Sequence, residues 1–298
     1  MKQIAGLLAA EISGSVKCHE PLSRHTSFRI GGPADLYLQP RTTAELISAL
    51  TLLREKGIPY FLLGSGTNIL VADSGFRGAV IRLDGDFVQF AFEGTVATSG
   101  AAVPLARLAG DACDRNLTGL EFATGIPGSV GGALFMNAGA HGQATSDILL
   151  DAEILDNTLS LHTFKAEELQ LSYRTSGIYP GAIVCFARFS LSPGKREDIE
   201  RKRREFMDFR RSRQPRQPNA GSIFRNPPQD AAGRLIEAAG LKGHRSGGAK
   251  ISEIHANFIV NCGNATAADV LSLIELAQET VHKKFGINLA LEIKVLGD

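Results

Sequence analysis

The stretch Tyr60-Phe61-Leu62-Leu63 reads as a short apolar strand that runs without a spacer into Gly64-Ser65-Gly66-Thr67-Asn68. A second apolar stretch, Ile69–Ala72, follows at once. Glycine permits positive φ and lets backbone N–H groups approach an anion with no Cβ in the way. Successive N–H groups in such a turn form an anion-binding nest, and Ser65 and Thr67 add hydroxyls. The order strand, turn, strand excludes two common phosphate sites. A P-loop needs GxxxxGK[ST], which the chain lacks. A Rossmann fingerprint needs a third glycine where Ile69 stands, and then a helix. A plain tight turn also fits this segment taken alone.

A second glycine-dense run narrows the choice. Gly119-Leu120-Glu121-Phe122-Ala123-Thr124-Gly125-Ile126-Pro127-Gly128-Ser129-Val130-Gly131-Gly132-Ala133 continues to Met136-Asn137-Ala138-Gly139-Ala140. Its apolar residues Ile126, Val130, Leu134 and Phe135 distinguish it from a flexible linker. Ordered backbone wrapped closely around a flat or extended ligand is the expectation.

Around these runs helix and strand signals alternate. Strands are expected at Asp35–Gln39, Gly78–Leu83, Asp86–Phe92, Thr95–Ser99 and Ala182–Leu191, and a hairpin joins Ile148–Asp156 to Leu159–Phe164. Helices are expected over the N-terminal residues, at Thr43–Lys56 with Thr42 or Thr43 as cap, and at Val103–Arg115. A boundary is read at Ser192-Pro193-Gly194, followed by a charged helix from Lys195 to about Arg213. The last third carries helices near Ala231–Ala239 and Ala267–Phe285, and strands near Ala256–Asn261 and Leu289–Leu296. The layout is α+β, divided as 1–83, 84–192 and 193–298.

The bulk numbers bear on function class. A net charge of +1 over 298 residues argues against a general nucleic-acid binder. Apolar runs stay short of the roughly 20 residues a membrane helix needs. Cys18, Cys113, Cys185 and Cys262 are scattered with no CxxC pair, the pattern of reduced cytoplasmic thiols and not of a disulfide frame or zinc site. No metal is expected. The basic residues between Lys195 and Arg213 are interleaved with Glu197, Asp198, Glu200, Glu205 and Asp208, which reads as a solvated, ion-paired face.

Three segments in order, Thr26-Ser27-Phe28-Arg29-Ile30-Gly31-Gly32-Pro33-Ala34-Asp35, Gly64-Ser65-Gly66-Thr67-Asn68-Ile69-Leu70 and Gly125-Ile126-Pro127-Gly128-Ser129-Val130-Gly131-Gly132, resemble the UDP-N-acetylenolpyruvoylglucosamine reductase (MurB) family. The resemblance runs from about Pro21 to Gly297. It implies a two-subdomain FAD-binding region of the PCMH/vanillyl-alcohol-oxidase type, followed by an α+β substrate-binding domain. It implies non-covalent FAD, NADPH as reductant, and a UDP-sugar substrate in peptidoglycan precursor synthesis. It further implies a cytoplasmic monomer with no nucleic-acid or membrane partner. Cofactor contacts fall on Gly64, Ser65, Gly66, Thr67, Asn68 and Ile69, and on Gly125, Ile126, Pro127, Gly128, Ser129, Gly131, Gly132, Asn137 and Gly139.

Three further matches carry the catalytic expectation. Ser172-Tyr173-Arg174-Thr175-Ser176 resembles the family's YRxS element and assigns its arginine to Arg174. Ala220-Gly221-Ser222-Ile223-Phe224-Arg225-Asn226-Pro227 resembles GSxFKNP and assigns the proton donor to Ser222. Leu289-Ala290-Leu291-Glu292-Ile293-Lys294-Val295-Leu296-Gly297 resembles LEPEVxxxG, and aligning on Gly297 places the family's glutamate on Glu292. Glu292 could act protonated or by orienting Arg174. Substrate contacts are expected from Tyr173, Arg211, Asn226, Lys242 and His255. Two departures stand out. The stretch from Arg174 to Ser222 is too short for the lid insertion of the family's longer branch, so the chain resembles the shorter branch. Arg225 replaces the usual lysine and is not its equal in hydrogen bonding. Two other readings remain open at this stage: a different FAD-linked oxidase of the same fold, which could hold flavin covalently through a residue such as His141, and a non-enzymatic binder acting through the basic helix.

Overall fold

A computed structural model describes residues 1–228 and 230–297. The chain forms two compact units. The first comprises residues 1–18, 36–65 and 78–210, and the second 19–35, 66–77 and 211–298. The Ser192-Pro193-Gly194 stretch does not end the first unit, because Ser192–Pro193 pairs antiparallel with Leu117–Thr118 and the unit continues to Arg210.

The first unit holds five helices in chain order: α1 (Lys2–Glu11), α2 (Thr43–Glu55), α3 (Leu105–Asp114), α4 (Val130–Phe135) and most of α5 (Arg196–Arg213). In α2 the Thr42 hydroxyl accepts from the Glu45 N–H at 3.2 Å, satisfying one of the unpaired first-turn donors. Leu46, Ala49, Leu50 and Leu53 recur at helical spacing and are buried, as their pattern requires. Both sides of one five-stranded antiparallel sheet are set by alternation. Its strand order is Leu161–Lys165, Leu149–Leu155, Ile183–Ser190, Val96–Gly100, Phe90–Glu93. A second sheet includes Tyr60–Leu62, which pairs parallel with Ala79–Ile81. The strand expected over Asp86–Phe92 begins only at Phe90, because Gly85–Val88 forms a 3-10 turn. Phe87 is buried within that turn and stacks on Phe186 with centroids 5.5 Å apart, so packing overrides the extended pattern. Helix α4 was not anticipated among the second run's glycines. Its start is held by Ser129, whose hydroxyl accepts from the Gly132 N–H at 3.3 Å.

One carboxylate in this unit carries a pH prediction. Asp151 is 3% exposed and accepts from Arg188 Nε at 2.8 Å and from Lys165 Nζ at 3.5 Å. The Arg188 guanidinium holds its carboxyl below the usual carboxylate range. A depressed folded pKa contributes stability above the unfolded pKa of about 3.9, and that contribution is lost as pH falls through the folded value. Asp151→Asn is expected to cost about 1–3 kcal/mol at pH 7. In urea unfolding the gap to the parent should close as pH falls below about 4. A gap that stays constant with pH would contradict the ion-pair account.

The second unit has its own core, in which Phe28, Leu70, Phe224, Leu235, Val270, Leu273 and Ile274 are buried. Helix α6 spans Ala232–Ala238 and α7 spans Ala267–Phe285. Helix α7 opens with a capping box between Thr266 and Asp269 and closes at Gly286, which takes a left-handed conformation at φ +70°. Three short antiparallel strands, Arg245–Ser246, Ala249–Ile251 and Ile259–Asn261, lie in that order. The strands expected at Ala256–Asn261 and Leu289–Leu296 shorten to Ile259–Asn261 and Lys294–Leu296. The last pairs parallel with Ile69–Val71, so the C-terminal strand lies beside the strand that leaves the first glycine turn. Among the described residues no helix is long and apolar enough to cross a membrane.

Candidate functional site

The first glycine turn is shaped by close approach. Gly66 sits at φ +65°, and an added Cβ would fall 2.1 Å from the His25 carbonyl oxygen. No side chain larger than hydrogen fits there without backbone movement. Within the first unit, an added Cβ at Gly64 would lie 2.8 Å from Ser129 Oγ, so the two glycine runs meet at these residues. Among the described residues, the N–H groups of Gly64, Ser65, Gly66 and Asn68 donate to no backbone carbonyl. A turn with unspent donors, closed to side chains by its neighbours, suits the oxygens of a nucleotide diphosphate.

The second run contributes differently along its length. Gly125, Ile126 and Gly128 are half-buried, while Pro127 and Gly132 are exposed. Ser129 is buried and caps α4, and the Gly131 N–H donates to the Ala101 carbonyl at 2.8 Å. Ile69 is likewise buried in its strand. These residues build the wall more than its surface. Asn137 is also structural on this geometry. Its Nδ2 donates to the Ser172 carbonyl at 3.1 Å and its Oδ1 accepts from the Ser146 N–H at 3.0 Å.

That asparagine fastens the turn carrying Arg174. Ser172 and Thr175 exchange N–H···O bonds of 3.1 Å in both directions, leaving Tyr173 and Arg174 at the tip. Arg174 takes a left-handed conformation, φ +56°, and its Nη1 donates to the Gly139 carbonyl at 3.3 Å. Its guanidinium lies 5.4 Å from the Tyr173 ring centroid, a cation–π distance. Tyr173 itself is 60% exposed and available to a ligand.

In the second unit, Ser222 and Glu292 are brought together by pairing that neither motif announces. Phe224 and Leu291 form an antiparallel bridge, and the Glu292 N–H donates to the Ile223 carbonyl at 2.8 Å. Asn68 joins them, with Nδ2 donating to the Glu292 carbonyl at 3.1 Å and its own carbonyl accepting from the Lys294 N–H at 3.0 Å. One unit therefore sets part of the first glycine turn, the serine and the glutamate side by side. Ser222 follows Gly221, whose N–H donates to Asn219 Oδ1 at 2.8 Å.

Asn257 is the residue that sequence reasoning missed. It is buried, accepts from the Phe224 N–H at 2.9 Å, donates to the Phe224 carbonyl at 2.8 Å, and its own carbonyl accepts from the Ile223 N–H at 2.9 Å. It works as a peptide-like splint under the Ser222 loop. The only hint in the sequence is an asparagine among apolar residues in Ala256-Asn257-Phe258-Ile259.

The expected substrate contacts divide. Arg211 is exposed on α5. Asn226 is exposed, but its Oδ1 accepts from the Ala232 N–H at 3.0 Å at the start of α6. Lys242 is paired with Glu237 at 2.7 Å. His255 packs edge-on against Phe258 at 4.9 Å, its ring lies against Gly233, and burial followed by Lys242 pushes its pKa down. His255 thus sits as a neutral ring in a packed setting.

Comparison with known proteins covers the whole chain. A model of the UDP-N-acetylenolpyruvoylglucosamine reductase C-terminal domain matches residues 214–296, and an FAD binding domain model matches residues 34–164. The UDP-N-acetylenolpyruvoylglucosamine reductase of Halalkalibacterium halodurans is 45% identical over 300 residues, covering 100% of each chain. That of Rubrobacter xylanophilus is 47% identical over 288 residues, covering 95% of this chain and 96% of its own. The crystal structure of the reductase MurB from Thermus caldophilus superposes with a TM-score of 0.84 at 38% identity, over 96% of this chain and 100% of that one.

Proposed function

The chain belongs to the UDP-N-acetylenolpyruvoylglucosamine reductase family, and on that premise we propose that it reduces the enolpyruvyl ether of a UDP-sugar to the UDP-N-acetylmuramate used in peptidoglycan, with NADPH as reductant and Ser222 as proton donor. It is an FAD-dependent oxidoreductase of the vanillyl-alcohol-oxidase fold type, with an FAD-binding region and a C-terminal α+β domain. A nucleotide-sugar substrate implies action in the cytoplasm.

The residues present fit the cofactor. The unspent N–H groups of Gly64 and Ser65, at the point where Gly64 closely approaches Ser129 Oγ within the first unit, would hold its diphosphate. Bound there, FAD supplies the two-electron hydride chemistry that links NADPH to the substrate. The protein's own groups do the rest. When the methylene carbon of the enolpyruvyl group is reduced, negative charge builds on the neighbouring carbon and spreads into the carboxylate. Arg174 offers a planar, permanently charged fork matched to that carboxylate. Charge placed where it develops lowers the barrier, not only the energy of binding. Ser222 Oγ then gives its proton to carbon. A hydroxyl is a weak acid, but a carbanion-like centre is a strong base, so placement matters more than acidity. Glu292 polarises the same centre, as a protonated donor or through Arg174.

One observation carries the reading: a single compact unit ties the loop that follows Ser222, the Glu292 backbone and Asn68 together through the Phe224–Leu291 bridge, the Glu292 N–H to Ile223 carbonyl bond and the bond from Asn68 Nδ2 to the Glu292 carbonyl. The covalent-flavin alternative needs a reactive histidine or cysteine. His141 is instead stacked on Phe206 at 3.9 Å, and the thiol of Cys185 is pushed up to about 12 by burial. Denaturing the purified protein should release all of its flavin as free FAD. Flavin that stays with the precipitated chain would favour an oxidase with a covalent link.

A further inference from the structure

The chain just after Ser222 is gripped from two sides, and one of the two grips is a side chain. On the first side lie residues 290–292. The Glu292 N–H donates to the Ile223 carbonyl at 2.8 Å, and the Arg225 N–H to the Ala290 carbonyl at 2.9 Å. In an antiparallel pairing of this kind the residue between, Phe224, turns its own N–H and C=O away from its partner Leu291. A neighbouring strand would ordinarily receive those two groups. Here the Asn257 carboxamide receives them: Oδ1 accepts from the Phe224 N–H at 2.9 Å, and Nδ2 donates to the Phe224 carbonyl at 2.8 Å. A side-chain amide has the donor and the acceptor of a peptide group, so one residue completes the ladder where a strand is missing. Its backbone extends the match, because the Asn257 carbonyl accepts from the Ile223 N–H at 2.9 Å. The Asn257 N–H is fixed in turn by His255 Nδ1 at 3.2 Å.

This arrangement sets register. Asn257 is 3% exposed, and a carboxamide so buried is costly unless both of its ends are bonded. Both ends bond to the same residue, so Phe224 cannot slide along its neighbours without breaking two buried hydrogen bonds. Ser222 stands directly before the clamped pair Ile223 and Phe224, one step of about 3.8 Å along the chain. On its other side is Gly221, at φ +79°.

We infer that Asn257 is a positioning residue for the reduction, locking the register of Ile223 and Phe224 so that Ser222 Oγ stands where it delivers its proton to carbon. The inference rests on Ser222 being the proton donor proposed above. A proton donor works only within hydrogen-bond reach of its target. A displacement of about 1 Å can cost on the order of 10²-fold in rate.

The test uses the full-length, FAD-loaded protein and two variants, Asn257→Ala and Asn257→Asp, each made with Ser222 and with Ser222→Ala. Alanine leaves two buried backbone groups of Phe224 unpaired and is expected to lower the melting temperature as well as the rate. Aspartate keeps the shape and makes one bond titratable, so it carries the test where the alanine variant does not fold. When protonated, its carboxyl accepts from the Phe224 N–H and donates to the Phe224 carbonyl, as the amide does. When ionised it only accepts, and an oxygen faces the carbonyl. Burial should push the pKa of this carboxyl up, so the donated bond is present below that raised value and lost above it.

Above it, reoxidation of the NADPH-reduced flavin by the enolpyruvyl UDP-sugar should be about 10²-fold slower than in the parent at the same pH. Bleaching of the flavin by NADPH should keep the parent's rate, and the reoxidation deficit should close as pH falls. In the Ser222→Ala background Asn257→Asp should slow reoxidation no further, because both residues act on one step. A deficit independent of pH overturns the positioning role, as does equal slowing of both half-reactions. The same slowing with and without Ser222 overturns it too, and so does a lowered melting temperature with both half-reactions at the parent's rates. Normal reoxidation in Ser222→Ala alone is a distinct result: it defeats the proton-donor reading, and the inference falls with it.

Discussion

Replacing Ser222 with alanine should leave the flavin free to be bleached by NADPH, while cutting its reoxidation by the enolpyruvyl UDP-sugar by about 10²–10⁴-fold, the usual worth of a positioned proton donor. The structure favours a clean experiment. Among the described residues the Ser222 hydroxyl has no partner to lose. The loop around it is held by backbone and by Asn219 and Asn257, not by the serine: Gly221 N–H to Asn219, and both polar atoms of Phe224 to Asn257. Alanine at this half-buried position should therefore shift stability by no more than about 0.5 kcal/mol. Stopped-flow absorbance of the flavin, first with NADPH and then with the UDP-sugar, separates the two half-reactions. Normal turnover in both would remove Ser222 from the chemistry.

Arg174→Ala is expected to slow the substrate half-reaction by about 10²–10³-fold, comparable to the loss of one preorganised donor at a developing anion. The NADPH half-reaction should change by less than about tenfold, because no carboxylate is being formed there. Arg174 occupies a left-handed position at the tip of a turn whose frame comes from the Ser172–Thr175 pair and from Asn137. Removing the side chain leaves that frame standing. Arg174→Lys should restore only part of the rate, since an ammonium keeps the charge but not the bidentate fork. Equal slowing of both half-reactions would mean that Arg174 is a structural residue and that the proposed clamp lies elsewhere.

Elements written in local spacing were legible before any coordinates. Helix α2 follows from a cap at Thr42 or Thr43, the apolar Leu46, Ile47, Leu50 and Leu53, and the stop at Gly57, and α7 was legible over Ala267–Phe285. The Leu149–Leu155 and Leu161–Lys165 hairpin follows from alternation around a turn. The ion pairs along α5 follow from interleaved charge, and the pairs observed are those of neighbouring turns. Strand ends were less legible. Gly85–Val88 turned helical because burying Phe87 against Phe186 outweighed an extended preference, and α4 formed among glycines because Ser129 caps it.

The candidate site divides along the same line. The identity of its parts, two glycine runs, one arginine, one serine and one glutamate, is a matter of residue order, and order is what a chain displays directly. Their arrangement is not. Lys294–Leu296 pairs with Ile69–Val71 across more than two hundred residues of sequence, and that pairing sets Glu292 beside Asn68. Asn257 supports Ser222 from another segment, and Arg210 meets Gly125 from a helix whose composition suggests only a solvated surface. Long-range pairing of this kind depends on which buried groups find partners after the cores have packed. Residues near in sequence carry no trace of it, because the hydrogen bonds exist only once distant segments share one interior.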